Sequence, residues 1–365
     1  MKIAMLGLKG IPATYGGIER HVEEIGARLV ERGHDVTVYC RTYYTKQNGV
    51  HKGMQLRRLP SVNTKHLDTA THTAVCAVDA LVHDYDIVHF HALGPSAFSF
   101  VPRFRGQRTV VTVHGLDWER EKWGPLASAF LKRCEYPALH FPSQTIVVSE
   151  TLQKYFEEKY LIRPCVIPNG TALPELRPLN KLRKHGLTPG GYVLFVGRLV
   201  PEKGCHFLMQ AFRDIKSDLK LVMAGGSSFS DGYVESLKEH QRKDDRVVML
   251  DYVYGDALEE LWSNAYVVVQ PSTMEGLSIA LLEALSYGRC VLVSDIPENM
   301  EVVQNCAVSF RSRDVEDLGA KLQTLLDDPG RVRSFGALAR RRVEERYSWE
   351  RVVEATERVY RELAR

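Results

Sequence analysis

The chain has no paired cysteines. Its seven (Cys40, Cys76, Cys134, Cys165, Cys205, Cys290, Cys306) are scattered over 365 residues without a C-x-x-C motif. An odd, dispersed set on strand-like and helical stretches excludes a disulfide scaffold and reads as reduced core thiols. An excess of charge of one sign is also missing. The 48 basic and 45 acidic residues leave a formal +3, too balanced to argue for a nucleic-acid partner. No apolar run approaches the roughly 20 residues of a membrane-spanning helix. The opening MKIAMLGLKG breaks into Gly-Leu-Lys-Gly after an apolar run of about five residues, which is shorter than a secretory leader and shaped like the end of a buried strand. There is no low-complexity segment and no short repeat. These absences predict a cytoplasmic globular protein.

What is present is an alternation. Apolar runs such as KIAMLG, DVTVYC, DIVHFH and TVVTVHG are separated by helical patterns, among them Gly17 to Arg32 and Trp123 to His140. Strand and helix in alternation give βα units and a parallel sheet covered on both faces. Around residues 170 to 190 the rhythm gives way to a Pro- and Gly-rich stretch, NGTALPELRPLNKLRKHGLTPGG, which reads as a linker. It restarts with YVLFVG, LKLVMAGG, RVVMLDYV, YVVVQPS, CVLVSD and AVSF. Length and pattern together predict an α/β protein of two tandem doubly wound, Rossmann-like domains facing a cleft. Ligands of such sheets sit outside the carboxyl ends of the strands, so the loops there carry the candidates.

Three loops stand out. GLKGIPATYGGIERHVEEI (7 to 25) is a glycine-rich turn leading into an amphipathic helix, where Gly16 and Gly17 would let backbone N–H groups approach an anion or a sugar. Its spacing is not G-x-G-x-x-G, and VTVYC runs into Arg41 rather than an acid, which argues against a dinucleotide fingerprint. GRLVPEKG (197 to 204) sets Arg198 and Lys203 directly after a strand, one a planar fork and the other a point charge, a combination suited to a diphosphate. In PSTMEGLSIALLEALSYGRC, Glu275 stands in the loop after YVVVQ and Glu283 inside an apolar helix. An ionised carboxylate in such surroundings is costly unless it is paired or hydrogen-bonded. A ribose diol would satisfy Glu283, and a distant arginine is the alternative.

Taken together, EGLSIALLE with its E-x7-E spacing, GRLVPEKG and GGIERHVEEIGARLVERGHDVTVY closely resemble glycosyltransferase family 4. The resemblance runs along essentially the whole chain. It implies a retaining nucleotide-sugar glycosyltransferase of GT-B fold, with an N-terminal acceptor-binding domain over 1–172 and a linker over 173–190. A nucleotide-sugar-binding domain over 191–348 would follow, and the last helix, 349–365, would return to the first domain. The opening GLKGIPATYGGIE is similar to enzymes that add rhamnose, galactose or related sugars to bacterial surface polysaccharides. By the same resemblance Arg198 and Lys203 would neutralise the donor diphosphate and Glu283 would hold the ribose hydroxyls. Glu275, Gly276, Leu277 and Ser278 would contact the transferred sugar and its phosphates, and Gly16 and Gly17 would approach the diphosphate. Gly225 and Val253 would lie against the base, and His114 of VTVHGLD matches the active-site histidine. Tyr15, Arg20 and His91 are candidates for the acceptor.

No cofactor and no metal are expected. Asp84 to Asp86 lies at the amino end of its strand, away from the ligand edge, and the H-x-H of His89 and His91 has no evident third ligand in the sequence. The expected partners are a nucleotide sugar and a glycan or lipid-linked acceptor, without nucleic acid. The basic RFRGQR after SAFSFVPRF reads as a solvated face or as a contact with anionic lipid headgroups at the inner face of the membrane. Rival readings are a nucleotide-sugar epimerase or a phosphorylase, a nicotinamide oxidoreductase, and a non-enzymatic sugar-nucleotide sensor.

Overall fold

The computed structural model describes residues 1–14, 16–119, 123–228 and 230–365. The chain divides into two compact units. One comprises Met1–Gly170 with Trp349–Arg365, the other Thr171–Ser348.

The first unit opens with β1 (Lys2–Leu6), α1 (Gly17–Glu31), β2 (Asp35–Arg41), β3 (Gly49–His51), β4 (Met54–Leu59) and α2 (Asp68–Ala80). It continues through β5 (Ile87–His91), α3 (Leu93–Ser96), β6 (Arg108–Val113), α4 (Pro125–Arg133), α5 (Glu135–His140), β7 (Gln144–Val147), α6 (Glu150–Tyr160) and β8 (Cys165–Val166). The second unit holds β9 (Tyr192–Val196), α7 (Cys205–Arg213), β10 (Lys220–Ala224), α8 (Asp231–Gln241), β11 (Val247–Leu250), α9 (Asp256–Asn264) and β12 (Val267–Gln270). It closes with α10 (Ile279–Ser286), β13 (Cys290–Ser294), α11 (Pro297–Val303), β14 (Val308–Phe310), α12 (Val315–Asp327) and α13 (Pro329–Arg346). The last helix, α14 (Trp349–Ala364), belongs to the first unit.

In the first unit the strand order is β3-β4-β2-β1-β5-β6-β7-β8, parallel except where β3 runs against β4. In the second it is β11-β10-β9-β12-β13-β14, parallel throughout. Strands such as Val267–Gln270 and Cys290–Ser294, apolar except at their last residue, are buried along their length, as strands covered on both faces must be. Each sheet has one place where the chain reverses its direction of winding, at β1/β5 and at β9/β12. Loops leaving those carboxyl ends diverge and open a crevice. That topology, rather than any single residue, locates the candidate sites.

Two helical details depart from the sequence pattern. The stretch Trp123 to His140 is not one helix but α4 and α5, joined at Cys134. Pro137 offers no N–H to the carbonyl four residues back and crowds it, which breaks the run there. The Pro-rich stretch after residue 170 contains no α-helix or strand, yet it is packed against the second unit. Leu179, Leu182 and Leu187 are buried, and Glu260 accepts the backbone N–H groups of Asn180 (2.9 Å) and Lys181 (2.8 Å). The α14 helix buries Val352, Val353, Val359 and Tyr360 in the core of the first unit, with Arg28 of α1 paired to Glu350 at 2.9 Å.

Candidate functional site

In the first unit the loop from β1 to α1 is held by carboxylates of its own helix. Glu19 accepts the Lys9 N–H (3.0 Å) and Glu23 accepts the Ala13 N–H (2.7 Å). Both acids are buried. Glu23 is also bound by His51 and Lys52, each at 2.8 Å, and although burial opposes ionisation these bonds hold its carboxyl below the ordinary range. Gly16 sits at φ 107° with the Glu19 carboxylate against the place a Cβ would occupy, so only glycine enters this helix start without strain. Gly17 is exposed, and Arg20 is engaged by Glu24 at 3.1 Å. Tyr15 lies outside the described residues.

Behind this loop four histidines converge. His91 ends β5 and His114 follows β6, the neighbouring strand, with the Nδ1 of His91 and the Nε2 of His114 at 3.1 Å. His21 of α1 packs edge-on to His114 with ring centres 4.9 Å apart, and its Nδ1 meets the Asn169 amide oxygen at 2.9 Å. His89 lies beside His91 at 4.2 Å and is tied to Tyr360 (2.5 Å) and Thr112 (2.7 Å). Since an amide oxygen only accepts, His21 carries its proton on Nδ1. Burial drives the pKa of His21 down to about 4 and that of His89 to about 3. His91 is pushed well below its ordinary value by burial and then by its histidine neighbours. All three are neutral at physiological pH. The Nε2 of His91 is buried and has no hydrogen-bond partner among the described residues.

The sequence showed no third nitrogen for the H-x-H pair. The fold supplies one from α1: His21, His91 and His114 each offer a ring nitrogen, all within 4.8 Å of one another. His89 is not part of that set, because both its nitrogens face hydroxyls. Asp86 accepts the Lys2 N–H (2.8 Å) at the amino end of β5, on the opposite edge of the sheet.

In the second unit the loops after the neighbouring strands β9 and β12 touch. The Lys203 Nζ lies 2.5 Å from Glu275 Oε1, which also accepts the Ser272 hydroxyl at 2.7 Å. The backbone joins the same loops, with the Thr273 N–H donated to the Glu202 carbonyl at 2.9 Å. The Glu202 side chain is buried, and neither carboxylate oxygen has a hydrogen-bond partner among the described residues. Arg198 is half-buried directly after β9. Gly225, at φ 150°, passes so close to the Gly197 carbonyl that any Cβ would collide with it. Ser278 caps α10 by accepting the Leu281 N–H, so its hydroxyl is already committed to the helix start, and Leu277 is buried beside it. Gly276 and Val253 are half-buried.

The premise that Glu283 is a charge buried in an apolar helix needs correction. Leu281, Leu282, Ala284, Leu285 and Ser286 are buried, but Ile279, Ala280 and Glu283 share one half-exposed edge of α10. Glu283 therefore keeps part of its hydration and avoids the full desolvation cost. The sequence reading also missed Glu19, Glu23 and His21, whose roles depend on tertiary contacts. It missed Tyr252, whose hydroxyl donates to the carbonyls of Gly226 (3.1 Å) and Ser227 (3.0 Å) and whose ring stacks on Tyr254.

Family comparison agrees with this layout. The model for Glycosyltransferase Family 4 matches residues 15–173, and that for Glycosyl transferases group 1 matches residues 180–342. An uncharacterized glycosyltransferase of Methanocaldococcus jannaschii is 28% identical, over 99% of this chain and 98% of its own length. Among solved structures, sucrose-phosphate synthase from Thermosynechococcus elongatus superposes with a TM-score of 0.85 at 20% identity, over 99% of this chain and 98% of that one. Anabaena HepE in complex with UDP-glucose gives 0.81 at 19% identity, over 98% and 99%. At such identities the two structures establish the shared GT-B fold. The two family models between them match most of the chain, which is a glycosyltransferase of the family 4 type.

Proposed function

We propose that the chain moves a sugar from a nucleoside diphosphate to a hydroxyl of a glycan or lipid-linked acceptor, with retention at the anomeric carbon, in the synthesis of a cell-surface polysaccharide. The observation that carries this reading is the Lys203–Glu275 pair at the carboxyl edge of β9 and β12, with Arg198 on the same loop. Two cations at a strand end suit a leaving diphosphate, and the carboxylate orients the lysine before the donor arrives. HepE, which shares the fold, has been crystallised with UDP-glucose, consistent with a nucleotide-sugar donor here.

In this reaction the bond from C1 to the phosphate oxygen breaks as the acceptor oxygen bonds to C1. The acceptor proton passes to the leaving phosphate on the same face. Arg198 and Lys203 meet the developing charge, so the step calls for no divalent ion. Glu283 holds the ribose hydroxyls, and His114, braced by His91, orients the sugar. Retaining glycosidases place a carboxylate nucleophile behind the anomeric carbon; here Glu275 is engaged by Lys203 and Ser272, which favours front-face attack.

The test is a screen of uridine, guanosine and thymidine diphosphates for thermal stabilisation, followed by product analysis with the matching donor sugars. A ligand at 100-fold over its Kd stabilises by about 2.7 kcal/mol. A new glycoside with the donor's anomeric configuration, formed in the presence of a chelator, is expected. Inversion, a C2 epimer or a sugar 1-phosphate would defeat the reading.

A further inference from the structure

Three histidines of the first unit come together from separate elements: His21 from α1, His91 from the end of β5 and His114 from the loop after β6. Each offers a ring nitrogen, and the three nitrogens lie within 4.8 Å of one another. Their ring centres are 4.9, 5.4 and 5.7 Å apart. A tetrahedral ion bound at about 2.0–2.1 Å holds each imidazole centre about 3.2 Å away, which sets the rings about 5.2 Å apart. The observed spacings bracket that value. The 3.1 Å between His91 Nδ1 and His114 Nε2 is likewise close to the tetrahedral edge of about 3.3 Å.

The surroundings suit ligation. His21 donates its Nδ1 proton to the Asn169 amide oxygen at 2.9 Å, which leaves the lone pair on Nε2 and fixes the ring. A carbonyl or carboxylate behind a ligating histidine does the same work in metal sites. The buried Nε2 of His91 has no hydrogen-bond partner among the described residues, so hydrogen bonding within the cluster does not account for that residue. A donor set made only of imidazoles suits zinc, nickel and copper, whereas magnesium and calcium take oxygen ligands. His21 and His91 are buried and His114 is half-buried, so an ion and its fourth ligand enter from the His114 side. Three uncharged donors leave the ion's charge uncompensated, which favours hydroxide or another anion in the fourth position.

We propose that His21, His91 and His114 form a binding site for a divalent transition ion of the zinc class, with Asn169 positioning His21. The ion takes no part in the transfer step. On the proposed reading His114 orients the sugar, and an ion held there draws His114 away from it, so binding switches transfer off. That consequence rests on the proposed reading, whereas the binding itself does not.

The full chain is stripped with a chelator and titrated with cobalt(II), whose visible spectrum reports coordination at a zinc-type site. One equivalent should bind with the strong bands of four- or five-coordinate cobalt and without a thiolate charge-transfer band, and zinc should displace it. His21→Gln and His91→Gln should each abolish those bands, and Asn169→Ala should weaken binding about 10–100-fold. Where a histidine variant does not fold, the unaltered chain decides: zinc should raise its melting temperature and magnesium should not. A weak octahedral spectrum, a thiolate band, or bands retained in both histidine variants overturns the proposal. Transfer to a soluble acceptor should fall with added zinc and recover with chelator, and transfer indifferent to saturating zinc overturns the switch. If no donor supports transfer, the reading of the reaction fails while the cobalt result stands.

Discussion

The two units begin alike and then diverge. Each starts with an apolar strand, a glycine and a loop into a helix, β1–Gly7 to α1 and β9–Gly197 to α7. In the first, acids of the helix take up the loop's backbone donors at Lys9 and Ala13. In the second, the loop carries Arg198 and Lys203, and its acid partner comes from another strand. The interiors differ in the same sense. The edge of the first sheet is lined by neutral histidines, whereas β9, β12 and β13 contain no histidine. On the proposed reading, one βα scaffold serves two electrostatic tasks, positioning in the first unit and charge neutralisation in the second.

The sharpest way to break this contrast is to remove the charge from the second unit. Lys203→Ala should lower kcat by about 10²–10³-fold, the usual cost of losing one preorganised donor to a developing anion. Circular dichroism should show the fold retained. Near-normal turnover would mean that phosphate charge is met elsewhere and the division of labour is wrong. Glu275→Gln should be milder, because the lysine charge remains while its orientation is loosened.

Acid should separate the units next. A histidine whose folded pKa lies below its unfolded value stabilises only while neutral. Its contribution is complete above about pH 6.5 and is lost as pH falls toward the folded value. For His21, with a folded pKa near 4, this amounts to about 3 kcal/mol, and His89 and His91 act in the same direction. Hydrogen exchange, corrected for its intrinsic pH dependence, should show β1, β5 and β6 losing protection between pH 6.5 and 4.5 while β9, β12 and β13 keep theirs. Equal loss in both units would contradict the assignment of buried neutral histidines.

The fold was legible because a buried parallel strand is a short apolar run, and runs such as YVVVQ and CVLVSD have no other use. The antiparallel β3 was not legible: Gly49–His51 is three residues long and largely exposed, so no periodicity marks it. Positions at strand ends could be read in the same way, which is why Arg198, Lys203 and His114 could be placed next to β9 and β6. Their partners could not. Lys203 and Glu275 lie far apart in the chain and meet because β9 and β12 are neighbours, and His21 of α1 meets His114 only through the tertiary fold. The degree of burial of Glu283 was misread for a related reason. Composition describes a helix as a whole, whereas exposure is decided edge by edge.

The smallest effect tests the most local part of the contrast, the acids that tie down the glycine loop. Glu23 receives the Ala13 N–H together with His51 and Lys52. Glu23→Gln keeps the shape but removes the charge, leaving a cation-facing amide and weaker bonds. The expected cost is about 1–3 kcal/mol, typical of hydrogen bonds to a charged group. It should fall on the loop, not the sheet, because β1 pairs with β2 and β5 whatever the loop does. Exchange at Ala13 should therefore accelerate while Ile3 and Met5 stay protected, and KM for the donor should rise more than kcat falls. If kcat collapsed instead, the first unit's loop would be acting on the reacting charge itself, and the two loops would share one task.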